Sequence, residues 1–169
     1  MATEHLIALG HRRIGHISAP AEHPAAGLRR RGVRDALRAA GIGEPHLAIG
    51  DGGVTGGASA AEALLAAGIT GIVAYNDLTA IGALRALRRA GIGVPEDVSV
   101  VGFDDIDLAA WTDPPLTTIR QPIDELGRSA VDHLLDLLGG GRPGAATTVL
   151  EPSIVVRDST APARASGRG

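Results

Sequence analysis

Cysteine and lysine are both absent from the 169-residue chain. Without cysteine there are no disulfide staples, thiolate zinc sites or cysteine nucleophiles. Without lysine there is no phosphate-loop lysine, no Schiff-base chemistry and no Ser-x-x-Lys nucleophile; all 16 basic residues are Arg. Aromatics are nearly as scarce, with only Tyr75, Phe103 and Trp111, too few for a base-stacking surface. No stretch approaches the ~18 consecutive apolar residues of a membrane span. Met1 to Gly10 also lacks a basic segment followed by an apolar run and a cleavage site, so the chain reads as cytoplasmic. What remains is chemistry with carboxylates, Arg, His and hydroxyls, or no chemistry at all.

What is present is ordinary for one globular domain: 44% hydrophobic residues, 21% charged residues and a net charge of −3, enough apolar content for a sizeable core. Charge is uneven. Residues 1–40 hold Arg12, Arg13, Arg29, Arg30, Arg31, Arg34 and Arg38 against Glu4, Glu22 and Asp35. A basic third can mark a nucleic-acid surface, but the composition favours a solvated helix face.

Periodicity alternates along the chain. Residues 14–19, 46–49, 71–75, 98–103, 117–120 and 147–156 read as short apolar or β-branched strands, and 24–40, 56–67, 77–90 and 122–138 as helices. That order predicts an α/β domain with a mainly parallel sheet flanked by helices. Helices end at Ala40-Gly41 and at Ala90-Gly91, the latter with Arg88 and Arg89 in its last turn, where cations suit the helix dipole. In the last helix Ile123, Leu126, Ala130, Val131, Leu134, Leu135 and Leu138 share one broad face that something must cover. Gly139 to Gly144 reads as a flexible turn, and residues 159–169 as a disordered tail.

In an open α/β sheet, ligands bind beyond the carboxyl ends of the strands. Asn76 and Asp77 follow one strand, Asp104 and Asp105 another, and together they would offer donors and acceptors to a polyol. Equally, Asn76 and Asp77 can cap the next helix and the two aspartates can form an Asx turn. Arg29 sits near a helix start, where a cation is not favoured by the dipole and an outside partner would explain it; its neighbours Arg30, Arg31 and Arg34 make a solvated face the simpler reading.

Catalytic arrangements fail. There is no Gly-x-Ser-x-Gly elbow. His5, His11 and His16 are not at zinc-pair helical spacing. Gly50 to Gly57 lacks the Gly-x-Gly-x-x-Gly spacing of a dinucleotide loop. Asp104 and Asp105 are sequence neighbours whose side chains should diverge, a poor acid/base pair. No enzyme activity, metal site or cofactor is expected.

Four stretches taken together carry a family resemblance: HLIALGHRRIGHIS at 5–18, RRRGVRDALRAAGI at 29–42, YNDLTAIGALRALRRAGIGVPEDVSVVGFDDI at 75–106 and PPLTTIRQPIDELGRSAVDHLL at 114–135. They resemble the effector-binding region of LacI/GalR-type transcription regulators, over about residues 2–157. The resemblance implies a periplasmic-binding-protein-like fold of two Rossmann-like lobes, with a small sugar or nucleoside effector between them. It also implies a homodimer, and operator DNA bound through a helix-turn-helix headpiece. Position by position, it implies effector contacts from Arg29, Asn76, Asp104 and Gln121, and a further polar contact from His23. Ile81, Trp111, Pro114 and Pro115 are placed at the dimer interface, with local core as the other reading of Trp111.

Two departures stand out. Gly52 occupies a position where the family usually places an aromatic platform for the ligand. The chain also begins at a segment that, in the family, follows the headpiece and the first half of the N-terminal lobe. The expected organisation is therefore a partial effector-binding domain over 1–158. Residues 1–118 and 145–157 would form the C-terminal lobe, and 119–144 a crossover belonging to the other lobe, whose absence would explain the uncovered helix face. A sugar-binding transport component shares the fold, but would be expected to carry a signal peptide and aromatic clamps.

Overall fold

The computed structural model describes residues 1–140 and 149–164. At its centre lies a parallel sheet of β1 (Ile14–Ser18), β2 (His46–Ile49), β3 (Gly71–Ala74) and β4 (Ser99–Val101), ordered β2-β1-β3-β4. Strands β1, β3 and β4 are buried throughout, as short apolar strands are when helices cover both faces. Alternation sorts their side chains. Ile17, Ile72 and Val100 face α3 (Val54–Leu65) and α4 (Asp77–Arg89), whereas Ile14, Val73 and Val101 face α1 (Ala2–Ala8) and α2 (Ala26–Ala39).

The helices end as their glycines require. After α4 the Gly91 amide donates to Arg88 and the Ile92 amide to Leu87, with Gly91 at φ +71°; this closes the last turn with a left-handed residue that costs glycine nothing. Helices α3 and α4 cross closely because neither has a side chain at the contact. A Cβ on Gly82 would lie 2.1 Å from the Val54 carbonyl oxygen, and one on Gly57 2.3 Å from that of Thr79.

The α/β expectation holds, with differences at the ends. Helix α1 was not expected, because a seven-residue helix burying only Thr3 and Leu6 shows no readable period. Helix α3 starts and stops two residues earlier than the pattern indicated. Of the strand expected over 147–156, only β6 (Ser153–Val155) forms, and residues 147 and 148 lie outside the described residues. It pairs antiparallel with β5 (Thr118–Arg120), and the Gly102 amide donates to the Thr117 carbonyl, so this ribbon extends the β4 edge of the sheet.

The disordered tail expected over 159–169 is corrected for residues 159–164. The fully buried Ser159 hydroxyl accepts from the Thr117 amide at 2.8 Å and donates to the Val100 carbonyl at 2.6 Å. The Ala163 amide reaches the Leu9 carbonyl, and Arg164 pairs with Asp97. A composition of small polar residues looked unfoldable, yet these groups satisfy backbone atoms at the open edge of β4. Residues 165–169 lie outside the described residues, as do 141–144 of the glycine-rich turn.

Helix α5 (Ile123–Leu138) buries no residue. Leu126, Leu134 and Leu138 are 52%, 54% and 75% exposed, so its apolar face is uncovered among the described residues, as its pattern required of a helix with no partner.

Candidate functional site

The chain leaves β1 toward one edge, to β2, and then crosses to the other side for β3, so the strand order reverses between β1 and β3. The crevice beyond the carboxyl ends of such a pair is where open α/β sheets bind ligands. The segments entering it are the loop after β1, the start of α2, and the turns after β3, β4 and β5.

Three residues placed far apart in the chain meet there. Arg29, in the first turn of α2, donates to the Tyr75 carbonyl and approaches Asp104 Oδ1 at 3.4 Å. Its guanidinium carbon lies 3.8 Å from the centre of the Phe103 ring and 4.6 Å from that of Tyr75, so two of the chain's few aromatics form a cation–π shelf that fixes it. Gln121 Nε2 donates to the same Asp104 oxygen at 2.7 Å. Arg29 is thus fixed by the crevice's own groups and is not part of a generally solvated face.

Backbone geometry separates the two neighbouring aspartates. Asp104 is at φ +119° and Asp105 at φ +57°, a corner that sends their side chains apart. Asp105 turns inward, with Arg157 and Arg120 each at 2.6 Å and its side chain 6% exposed. Burial alone would raise its pKa; the two guanidinium groups prevail and hold its carboxyl below the usual carboxylate range. Asp105 is a structural clamp, and Asp104 carries the acceptor that faces the crevice.

Asn76 caps the next helix, as its position allowed, and also ties down the preceding glycine loop. Its Oδ1 accepts from the Thr79 amide at 2.8 Å, capping α4, and its Nδ2 donates to the Gly52 carbonyl at 2.9 Å. It stands at the crevice with its amide already engaged. His23 packs edge-on against Tyr75, with ring centres 5.7 Å apart. Gly52 has φ +84°, and a Cβ there would lie 3.4 Å from His23 Cε1. The expected platform position is therefore a left-handed glycine with an imidazole beside it.

Asp77 is not a ligand. It is fully buried; its carboxylate accepts from the Thr118 hydroxyl and from the Ile106 amide at 2.9 Å. Burial pushes its pKa up, partly offset by these bonds. Away from the crevice, Trp111 is 85% exposed and Leu108 58%, which excludes local core as the reading of Trp111. Ile81, Pro114 and Pro115 are half-buried, and Ile81 borders the same surface depression as Thr112 and Asp113.

Sequence reasoning missed the roles of Tyr75 and Phe103 as the shelf beneath Arg29. The signal was available, since two of the three aromatics stand just past the carboxyl ends of β3 and β4. Among the described residues, no group of three or more His, Asp or Glu is placed to hold a metal ion, and no helix is long and apolar enough to cross a membrane. The cluster offers fixed donors and acceptors, the equipment of recognition.

The sequence matches the periplasmic binding protein-like domain family over residues 3–160. An uncharacterized HTH-type transcriptional regulator from Streptomyces limosus is 44% identical over 95% of this chain and 47% of its own length. Among solved structures, the transcriptional regulator CelR–cellobiose complex superposes with a TM-score of 0.88 at 38% identity, covering 94% of this chain and 50% of that one. The Lac repressor dimer bound to operator and the anti-inducer ONPF does so with a TM-score of 0.86 at 36% identity, covering 94% and 56%. The chain belongs to this family, in the form found in LacI-type regulators, and it spans about half the length of the curated relative it matches.

Proposed function

We propose that this chain is the effector-sensing part of a LacI-type transcription regulator and that it receives a small polar effector, a sugar or nucleoside, on Arg29, Asp104 and Gln121. The observation that carries this is their convergence at the switch point, with Arg29 locked before any ligand arrives. A guanidinium fork and an acceptor-only carboxylate suit vicinal hydroxyls, and a polar group left unpaired there would cost about 1–3 kcal/mol, which is the basis of selectivity. Asn76 and His23 line the same crevice. Asn76 contributes through its remaining N–H, and His23 flanks the space over Gly52.

The exposed Trp111, with Ile81, Pro114 and Pro115, is proposed as a homodimer surface, since an apolar group of this size at the surface fits the core of an interface. Operator DNA would be met by a helix-turn-helix headpiece, and effector binding would act by shifting the balance between lobe arrangements. Residues 1–118 and 145–157 form the C-terminal lobe in this reading, with the segment from 119 to 144 crossing to the other; 141–148 lie outside the described residues.

A thermal-shift screen of sugars, polyols and nucleosides tests the site. A ligand that stabilises the protein should lose its effect in Arg29→Ala and in Asp104→Ala. If both variants keep the full shift, the site lies elsewhere.

A further inference from the structure

Behind Arg29, on the α1 and α2 side of the sheet, lies a half-open cavity of about 180 Å³. Val33, Val73, Phe103 and Ile119 give it apolar walls, and Arg29, His16 and Thr3 are polar residues of its lining. Asp104, Gln121 and Asn76 do not line it; Arg29 and Phe103 form a wall common to the cavity and the polar cluster.

His16 is the unusual element. It sits on the central strand β1, 1% exposed, beside the apolar Val33 and Val73 on the cavity lining. Its Nδ1 lies 2.9 Å from the Val73 carbonyl, and because a carbonyl only accepts, Nδ1 carries the proton. Nε2 is then a lone-pair acceptor. It has no hydrogen-bond partner among the described residues, and its ring borders the cavity. A buried acceptor without a donor is costly, and burial together with the nearby Arg30 opposes protonation, so the ring cannot relieve the cost by becoming a donor. Apolar cavities of comparable size hold molecules such as benzene; this one adds the unpartnered His16 Nε2.

We propose that this cavity is a second ligand site, taking a small neutral molecule with an apolar body and one O–H or N–H donor, which His16 Nε2 receives. The site does not depend on the effector reading, because its acceptor, His16, lies outside the polar cluster and only the wall of Arg29 and Phe103 is shared. Its ligand is also of a different class, monohydric and largely apolar instead of polyhydroxylated.

Phenol and benzene are the probes, titrated into the full chain labelled with ¹⁵N-histidine. Phenol should move the His16 Nε2 resonance and bind about fivefold more tightly than benzene, the equivalent of one ordinary hydrogen bond. Gly32 lies on α2 at the cavity wall, and a Cβ there meets nothing within 4 Å. Gly32→Leu should therefore keep the fold, crowd the cavity wall and weaken phenol binding. In His16→Leu the preference for phenol over benzene should vanish; should that variant not fold, the wild-type ratio and Gly32→Leu decide the matter. An unmoved Nε2 resonance, equal affinity for the two probes in the wild type, or phenol binding unaffected by Gly32→Leu would each overturn the proposal.

Discussion

Asn76 illustrates how much one side chain does at the crevice, and its two bonds can be separated. Asn76→Ala removes the cap of α4 and the Gly52 contact, and should cost about 0.5–2 kcal/mol. Asn76→Asp keeps an oxygen for the Thr79 amide but brings a carboxylate to the Gly52 carbonyl, which cannot donate. We expect chemical denaturation to show Asp retaining more helix stability than Ala. Effector binding should suffer in both variants, because the loop holding Gly52 loses its tether. Asp104 is the other informative residue. Few non-glycine residues adopt a φ of +119°, and the strain turns adjacent carboxylates to opposite tasks. The sequence makes the two aspartates visible as neighbours that should diverge. It does not show which one turns inward, because that depends on Arg120 at the end of β5 and Arg157 just after β6, which arrive from distant parts of the chain.

Among the elements, α3 and α4 depend on absent side chains. Gly82→Ala should lower the melting temperature through about 1–3 kcal/mol of overpacking, since its Cβ would collide with the Val54 carbonyl. Helix α5 stands at the opposite extreme. A helix of its length is marginal alone in water, and it buries nothing. Hydrogen exchange should therefore be fast across 123–138 relative to β1 and β3, or become slow only as the chain self-associates with rising concentration. A dilute monomer with α5 fully protected would contradict this. Long periodic elements such as α2, α4 and α5 were legible because burial of one face, or the need for it, writes itself as a 3.6-residue period. Helix α1 and the segment 159–164 were not: their order comes from long-range hydrogen bonds, such as His11 to the Ala161 carbonyl at 3.1 Å, that leave no local pattern. At the site, the positions of Arg29, Asp104 and Gln121 came from family resemblance, since residue chemistry alone favoured a solvated arginine and an Asx turn.

For the whole molecule, pH provides a direct test of burial. His5, His11 and His16 are all shifted down from their ordinary value, each chiefly by burial. The unfolded chain takes up protons near pH 6.5 while the folded chain stays neutral, so the unfolded state binds more protons as pH falls. Stability should be full above about pH 6.5 and decline as pH drops toward the folded-state values. Asp77, shifted up by burial, works in the opposite direction, one group against three. Melting temperatures should therefore fall from pH 7.5 to pH 5, and the slope should be shallower in His16→Leu if that variant folds. A flat or rising profile would contradict this balance.

The base of the β5–β6 ribbon is pinned on two sides. Thr117 is tied to Ser159 and Arg157, and Thr118 to the buried Asp77. Past Arg120 comes Pro122, and beyond it α5 rests on nothing described. A torque applied to α5 therefore has no compliant joint below Arg120: the ribbon is a lever whose fulcrum is welded into the sheet. Any swing is confined to the two or three residues that include Gln121, so the angle of whatever α5 carries bears on the side chain that donates to Asp104.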